Sequence, residues 1–243
     1  MNKIVAMTAY MRPHYLKQTL DALSSCVGIN NYHLVISVDP AQDPVIRESI
    51  RDIVLRIGFC KCTRLFNQRK MGLNINTLTA IAEGFRFSDF VVYVEEDVLL
   101  GPDALAYFDY CGNKFQADKS VFSITAVFNK RCIQDEEYLK IDRQKWFTPW
   151  GVGLWLDRWH EIGPKESWGK IGKMSWDAYV NRNIRRDRHE IYPLLSRGKN
   201  IGVIGEHTPS QEFYNKYFLI QSWSGNDRWR NDAAKRSIEW GAL

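Results

Sequence analysis

Along the first half of the chain, apolar residues follow two alternating rhythms. Ile4 to Ala9 and His33 to Val38 are short, mostly apolar runs and Phe90 to Val94 is an unbroken one; all three read as buried strands, and Cys62 to Phe66 reads as a weaker one. Between them, Leu16, Leu20 and Leu23, then Val45 to Ile57, then Leu73 to Phe85 closing around Gly84, recur at helical spacing. Strand and helix in alternation mark a parallel sheet with crossover helices. The second half is less regular. It offers a helix from Pro102 to Tyr110 and a strand from Val121 to Val127, then long segments rich in Trp, Gly and charge. Of these, Trp146 to Trp176 reads either as core or as loops wrapped around something.

No repeat, linker or low-complexity tract divides the chain, and 243 residues with 45% hydrophobic content are enough for one large domain. No apolar stretch is long enough for a signal segment or a membrane span, so the expected location is the cytoplasm. Cys26, Cys60, Cys62, Cys111 and Cys132 are odd in number and lack CxxC spacing, which reads as reduced thiols instead of a disulfide framework or a zinc site. The formal charge of +5 is concentrated from Arg182 to Arg197 and again in the tail. A polyanionic partner fits that excess, and a solvated face with a few groups meeting a phosphorylated substrate is the simpler reading.

Open α/β sheets bind ligands at the carboxyl ends of their strands, so polar residues there weigh most. The three informative strand ends carry Tyr10 to Arg12, Asp39, and the triplet Glu95-Glu96-Asp97. Three adjacent carboxylates at the mouth of a buried strand repel one another unless a cation or several donors compensate. A magnesium or manganese ion would do so, and so would a turn that caps the next helix. Asp39 could accept from a nucleotide or simply close a turn before Pro40, and Arg12 could meet a phosphate or lie at the surface. No GxGxxG or GxxxxGK[ST] follows these strands, so a nucleotide here would rely on metal and cationic side chains.

Taken in order, these motifs resemble the inverting GT-A glycosyltransferases related to alpha-1,3-mannosyl-glycoprotein beta-1,2-N-acetylglucosaminyltransferase I, over roughly Ile4 to Phe218. Glu95-Glu96-Asp97, running through Pro102-Asp103 to Tyr107-Phe108, resembles the family's EDD motif and the helix that follows it. The resemblance makes Asp97 the metal ligand and puts Glu95 and Glu96 beside the donor sugar, with Glu96 longer than the family's Asp. Arg12 and Asp39 resemble its nucleotide contacts, and Gln68 stands where the family has His. Ser123 to Asn129 resembles a family strand, and Pro149 to Leu156, which includes Gly151, resembles a loop bordering the donor sugar. Trp176-Asp177 resembles the start of WDDWMR, which makes Asp177 the catalytic base and puts Trp176 among the nucleotide-sugar contacts; Ala178 replaces the second Asp. Pro193 to Arg197 resembles Pro-Glu-x-Ser-Arg, with Leu194 in place of Glu. Gly205 to Tyr214 aligns loosely with the loop over the diphosphate, and His207 is a candidate second metal ligand.

The resemblance implies one GT-A domain over residues 1–243: a Rossmann-like α/β fold whose mostly parallel central sheet is flanked by helices. Residues 1–100 would form the nucleotide-binding half, and 101–243 the half for donor sugar and acceptor. It implies metal-dependent (Mn2+ or Mg2+) transfer of a GlcNAc- or glucose-type sugar from a UDP-sugar to a hydroxyl on a glycan, a small molecule or a hydroxylated DNA base. Two other classes remain open at this point. A sugar-phosphate nucleotidyltransferase would need a glycine-rich first loop, where this chain has Thr8 to Tyr15 (TAYMRPHY), and a binding module for sugar or nucleic acid would use the nine tryptophans.

Overall fold

The computed structural model describes residues 2–128, 135–163, 168, 174–203, 210–217 and 223–243. In chain order the elements begin β1 (Lys3–Ala9), α1 (Pro13–Ser24), β2 (Tyr32–Val38), α2 (Pro44–Leu55), β3 (Lys61–Phe66), α3 (Leu73–Phe85) and β4 (Phe90–Val94). They continue with β5 (Val98–Leu100), α4 (Ala104–Phe115), β6 (Val121–Thr125), β7 (Ile141–Gln144), β8 (Val152–Trp155), α5 (Leu156–His160) and α6 (Trp176–Tyr179). A π-helical turn (Val180–Ile184), β9 (His189–Pro193), β10 (Gly198–Asn200), α7 (Gln211–Tyr217) and α8 (Asp227–Gly241) complete the described chain.

The expected α/β alternation holds through β4. The principal sheet has eight strands in the order β3-β2-β1-β4-β8-β6-β9-β7, and β5 pairs with β10 in a small second sheet. Strands β3, β2, β1 and β4 are mutually parallel, and β6 and β9 run the same way; β8 and β7 are reversed. Val92 and Val94 of β4 pack with α1, α2 and α4 on one face of the sheet. Val91 and Tyr93 pack with α3, α5 and Trp176 on the other. A strand buried on both faces accounts for the unbroken apolar run. Among the described residues no helix is long and apolar enough to cross a membrane. Cys26, Cys60, Cys62 and Cys111 are free thiols, and Cys132 lies outside the described residues.

Asp103 stands at the N-cap position of α4 but makes no capping bond. Its Oδ2 accepts instead from Tyr138 Oη at 2.9 Å, Arg197 Nε at 3.0 Å and Trp240 Nε1 at 3.1 Å. Asp103 and Arg197, both in motifs that resemble the family, therefore form a buried ion pair that ties α8 to the core.

Glu190 is a second buried carboxylate, in β9, and accepts from Ser123 Oγ at 2.7 Å, Gln144 Nε2 at 3.0 Å and the Thr148 N–H at 2.9 Å. Burial pushes its pKa up to about 7, and these hydrogen bonds limit the rise. An acid raised in the folded state stabilises most when protonated, so its contribution is complete below the unfolded value of 4.5 and is lost as pH climbs through about 7. The shift corresponds to about 3 kcal/mol. Glu190→Gln keeps the acceptor for Thr148 and removes the titration. Urea unfolding at several pH values should show the variant close to wild type in acid and more stable by about 3 kcal/mol in mild alkali.

Candidate active site

Met7 of β1 is in register with Val94 of β4, so the loops after the two strands emerge side by side. The first brings Tyr10 to Arg12 and the second Glu95 to Asp97. Glu96 accepts from the Tyr10 N–H at 2.7 Å and from Arg12 Nε at 2.7 Å, while Arg12 Nη1 reaches Asp97 Oδ2 at 2.7 Å. Thr19 on α1 donates to the Glu96 carbonyl at 2.8 Å, which stitches the helix to the same turn. Burial works against the charge on Arg12, but Asp97 and Glu96 outweigh it and raise its pKa above the ordinary value.

Among the described residues Arg12 pairs with Glu96 and Asp97, and Glu95 bears the charge of the cluster. Burial first, then Asp97 and Asp177, lift its pKa well above the usual carboxylate range, against the opposing pull of Arg12. Asp177 therefore lies within electrostatic reach of the triplet, 80 residues on in the chain.

The turn that presents Asp177 is gripped from two sides. Ser175 sits at the N-cap of α6 without making a capping bond, which leaves the Trp176 N–H in need of an acceptor. Asn74, in the first turn of α3, supplies it at 2.8 Å and donates back to the Met174 carbonyl at 2.9 Å. Asn181 does the same for another segment: it accepts from the Phe147 N–H at 2.8 Å and donates to the Phe147 carbonyl at 2.9 Å and the Asp177 carbonyl at 3.2 Å. Trp176 is 1% exposed and lies between the rings of Tyr93 and Phe147, at 5.8 and 5.2 Å. Its packing against these rings anchors the turn that carries Asp177.

Asp39 holds a loop. It is 3% exposed, and both its oxygens are taken by Asn67 Nδ2 at 2.9 Å, the Met71 N–H at 3.0 Å and the Gly72 N–H at 2.9 Å. Gly72 has φ +83, a conformation that glycine adopts freely, and this aims its N–H at Asp39. The aspartate shapes the loop that holds Gln68 out in solvent and places Lys70 Nζ 4.4 Å from the centre of the Tyr10 ring. Gly151 leads directly into Val152, which pairs with Tyr93, so it lies beside the end of β4.

Asp97 keeps one carboxylate oxygen without a protein partner, which a divalent cation would suit. Its Oδ1 is buried without a hydrogen-bond partner while Oδ2 holds Arg12. Among the described residues no three of His, Cys, Asp and Glu gather into a ready metal set. An ion held by one carboxylate with substrate oxygens and water is the usual arrangement for Mg2+ at phosphates. The Ile201 N–H donates to the Asp97 carbonyl at 2.8 Å, and a Cβ on Gly202 would overlap Asp97 Oδ2. Tyr214 Oη donates to the Asn200 carbonyl at 2.6 Å. His207 lies outside the described residues.

The basic run is largely consumed inside the protein. Arg185 donates to the Arg188 carbonyl, Arg188 forms a two-point pair with Glu161, and Arg197 is buried on Asp103; Arg182 and Arg186 are exposed.

The sequence profile of the GNT-I family matches residues 73–228. Among solved structures, a mannosyltransferase from Pyrobaculum calidifontis, PcManGT in complex with GDP-Man and Mn2+, is similar with TM-score 0.53 and 13% identity over 79% of this chain and 54% of its own. TarS 1–349 from S. aureus matches with TM-score 0.51 and 13% identity over 77% of this chain and 60% of its own. The same fragment in complex with UDP-GlcNAc matches with TM-score 0.50 and 12% identity over 98% and 72%. This chain thus spans little more than half the length of the first two. The shared architecture is the GT-A fold.

Proposed function

This chain belongs to the GNT-I family, and from that premise we propose that it is a metal-dependent, inverting glycosyltransferase that moves a GlcNAc- or glucose-type sugar from UDP to an acceptor hydroxyl. The observation that carries the reading is that Asp177 lies within electrostatic reach of Glu95 at the end of β4, in the triplet that holds Arg12.

In this reading the acceptor oxygen attacks the anomeric carbon from the face opposite the diphosphate. As that bond forms, the bond to the diphosphate breaks, and the leaving group takes the electron pair. Asp177 accepts the hydroxyl proton as general base. Asp97 and His207 would hold the divalent ion, Mn2+ or Mg2+, whose chemistry when bound is to neutralise charge on the leaving diphosphate. Arg12, fixed on Glu96 and Asp97, adds positive potential to the same place. Glu95 and Gly151 border the donor sugar, and the loop held by Asp39 brings Gln68 to the base.

Thermal melting with a panel of nucleotide sugars, with manganese or with chelator, tests the proposal. A UDP-sugar at one hundred times its Kd should add about 2.7 kcal/mol of stability, and only with metal present. An equal shift in chelator would remove the metal; no shift with any nucleotide sugar would end the proposal.

A further inference from the structure

We propose that Trp146 is the platform on which the acceptor, a saccharide, stacks a sugar ring while one of its hydroxyls reaches Asp177; this rests on the glycosyltransferase reading above. Trp146 is 62% exposed, and it adjoins a residue held rigidly. Phe147, the next residue, has both backbone groups bonded to the Asn181 amide, and its ring packs on Trp176 at 5.2 Å. One nitrogen, Asn181 Nδ2, donates both to the Phe147 carbonyl at 2.9 Å and to the Asp177 carbonyl at 3.2 Å. The two oxygens are therefore no farther apart than those two bonds laid end to end. The indole thus stands on backbone that is bridged by a single atom to the residue proposed as base.

An indole presented by anchored backbone gives a broad apolar face at little cost in conformational freedom. The apolar face of a pyranose fits it, and the polar rim of the sugar stays in water. A nucleic acid could use the same ring, but it would require cations along the approach. Of the five arginines from Arg182 to Arg197, Arg188 and Arg197 are paired with acids and Arg185 is buried, so Lys145, Arg182 and Arg186 are the exposed cations of these segments, a thin charge that favours an uncharged saccharide over a polyanion.

Saturation-transfer NMR with methyl α- and β-hexopyranosides, in the presence of UDP and Mn2+, tests the subsite on wild type, Trp146→Phe and Trp146→Ala. At least one glycoside should receive saturation from wild type, Trp146→Phe should retain most of it, and Trp146→Ala should bind about tenfold more weakly. The thermal shift caused by UDP and Mn2+ should be the same in all three. Equal transfer to wild type and Trp146→Ala would overturn the subsite and leave the transferase reading standing. So would absence of transfer while the UDP shift persists. An oligodeoxynucleotide that binds in a Trp146-dependent way where no glycoside does would overturn the saccharide assignment. A wild type that ignores UDP and Mn2+ would overturn both readings.

Discussion

Asp177→Asn should retain UDP-sugar binding and lose turnover by about 10²- to 10⁴-fold, the usual worth of a positioned general base. The substitution keeps the shape of the side chain, and among the described residues the bonds that hold the turn are made to its backbone. Asn74 grips the backbone of residues 174 and 176, and Asn181 grips the carbonyl of residue 177. Removing the charge also relieves Glu95, whose pKa should fall because Asp177 is one of the charges that raise it. Calorimetry with a UDP-sugar and manganese should therefore give a Kd near that of wild type, while steady-state assays show the loss in kcat. Turnover at the wild-type level would remove Asp177 from the chemistry.

Asp97→Ala should abolish manganese-dependent donor binding. Outer-shell partners of a metal alone cost about 10- to 100-fold in affinity when removed, so a direct ligand should cost at least as much. The fold should survive, because the bond from Ile201 is to the backbone carbonyl of residue 97 and Arg12 keeps Glu96. Two measurements separate the outcomes: manganese binding followed by electron paramagnetic resonance, and donor calorimetry with and without chelator. A variant that still binds donor only in the presence of manganese would place the ion on other residues.

The half of the sheet built from strands β1 to β4 was legible because β1, β2 and β4 are mostly apolar runs, β3 is a weaker one, and each helix between them shows an apolar face. The triplet stood out for the same reason: a run buried on both faces ends abruptly in three acids. The second half was hidden by its glycines and its acid. Gly153 is in β8, and a Cβ there would come within 2.6 Å of the Phe90 ring, so this glycine marks close packing inside a strand where the sequence suggested a loop. In β9 the buried Glu190 breaks the apolar pattern. Asn74 and Asn181 carried no signal at all, since an asparagine in a helical segment looks like any polar surface position until its partner, 102 or 34 residues away, is known. Arg185, Arg188 and Arg197 added to an apparent basic surface that pairing inside the protein mostly removes.

The reversed strand between β4 and β6 has a consequence for biosynthesis. When the ribosome has released the first four strands, the open side of β4 exposes a row of unpaired amides and carbonyls, and it remains so until Val152–Trp155 emerges and slots in. The nascent chain thus carries a sticky sheet margin for the time needed to translate some sixty more codons, several seconds at about 5 to 20 residues per second. Chaperone demand and aggregation during expression should be concentrated in that interval.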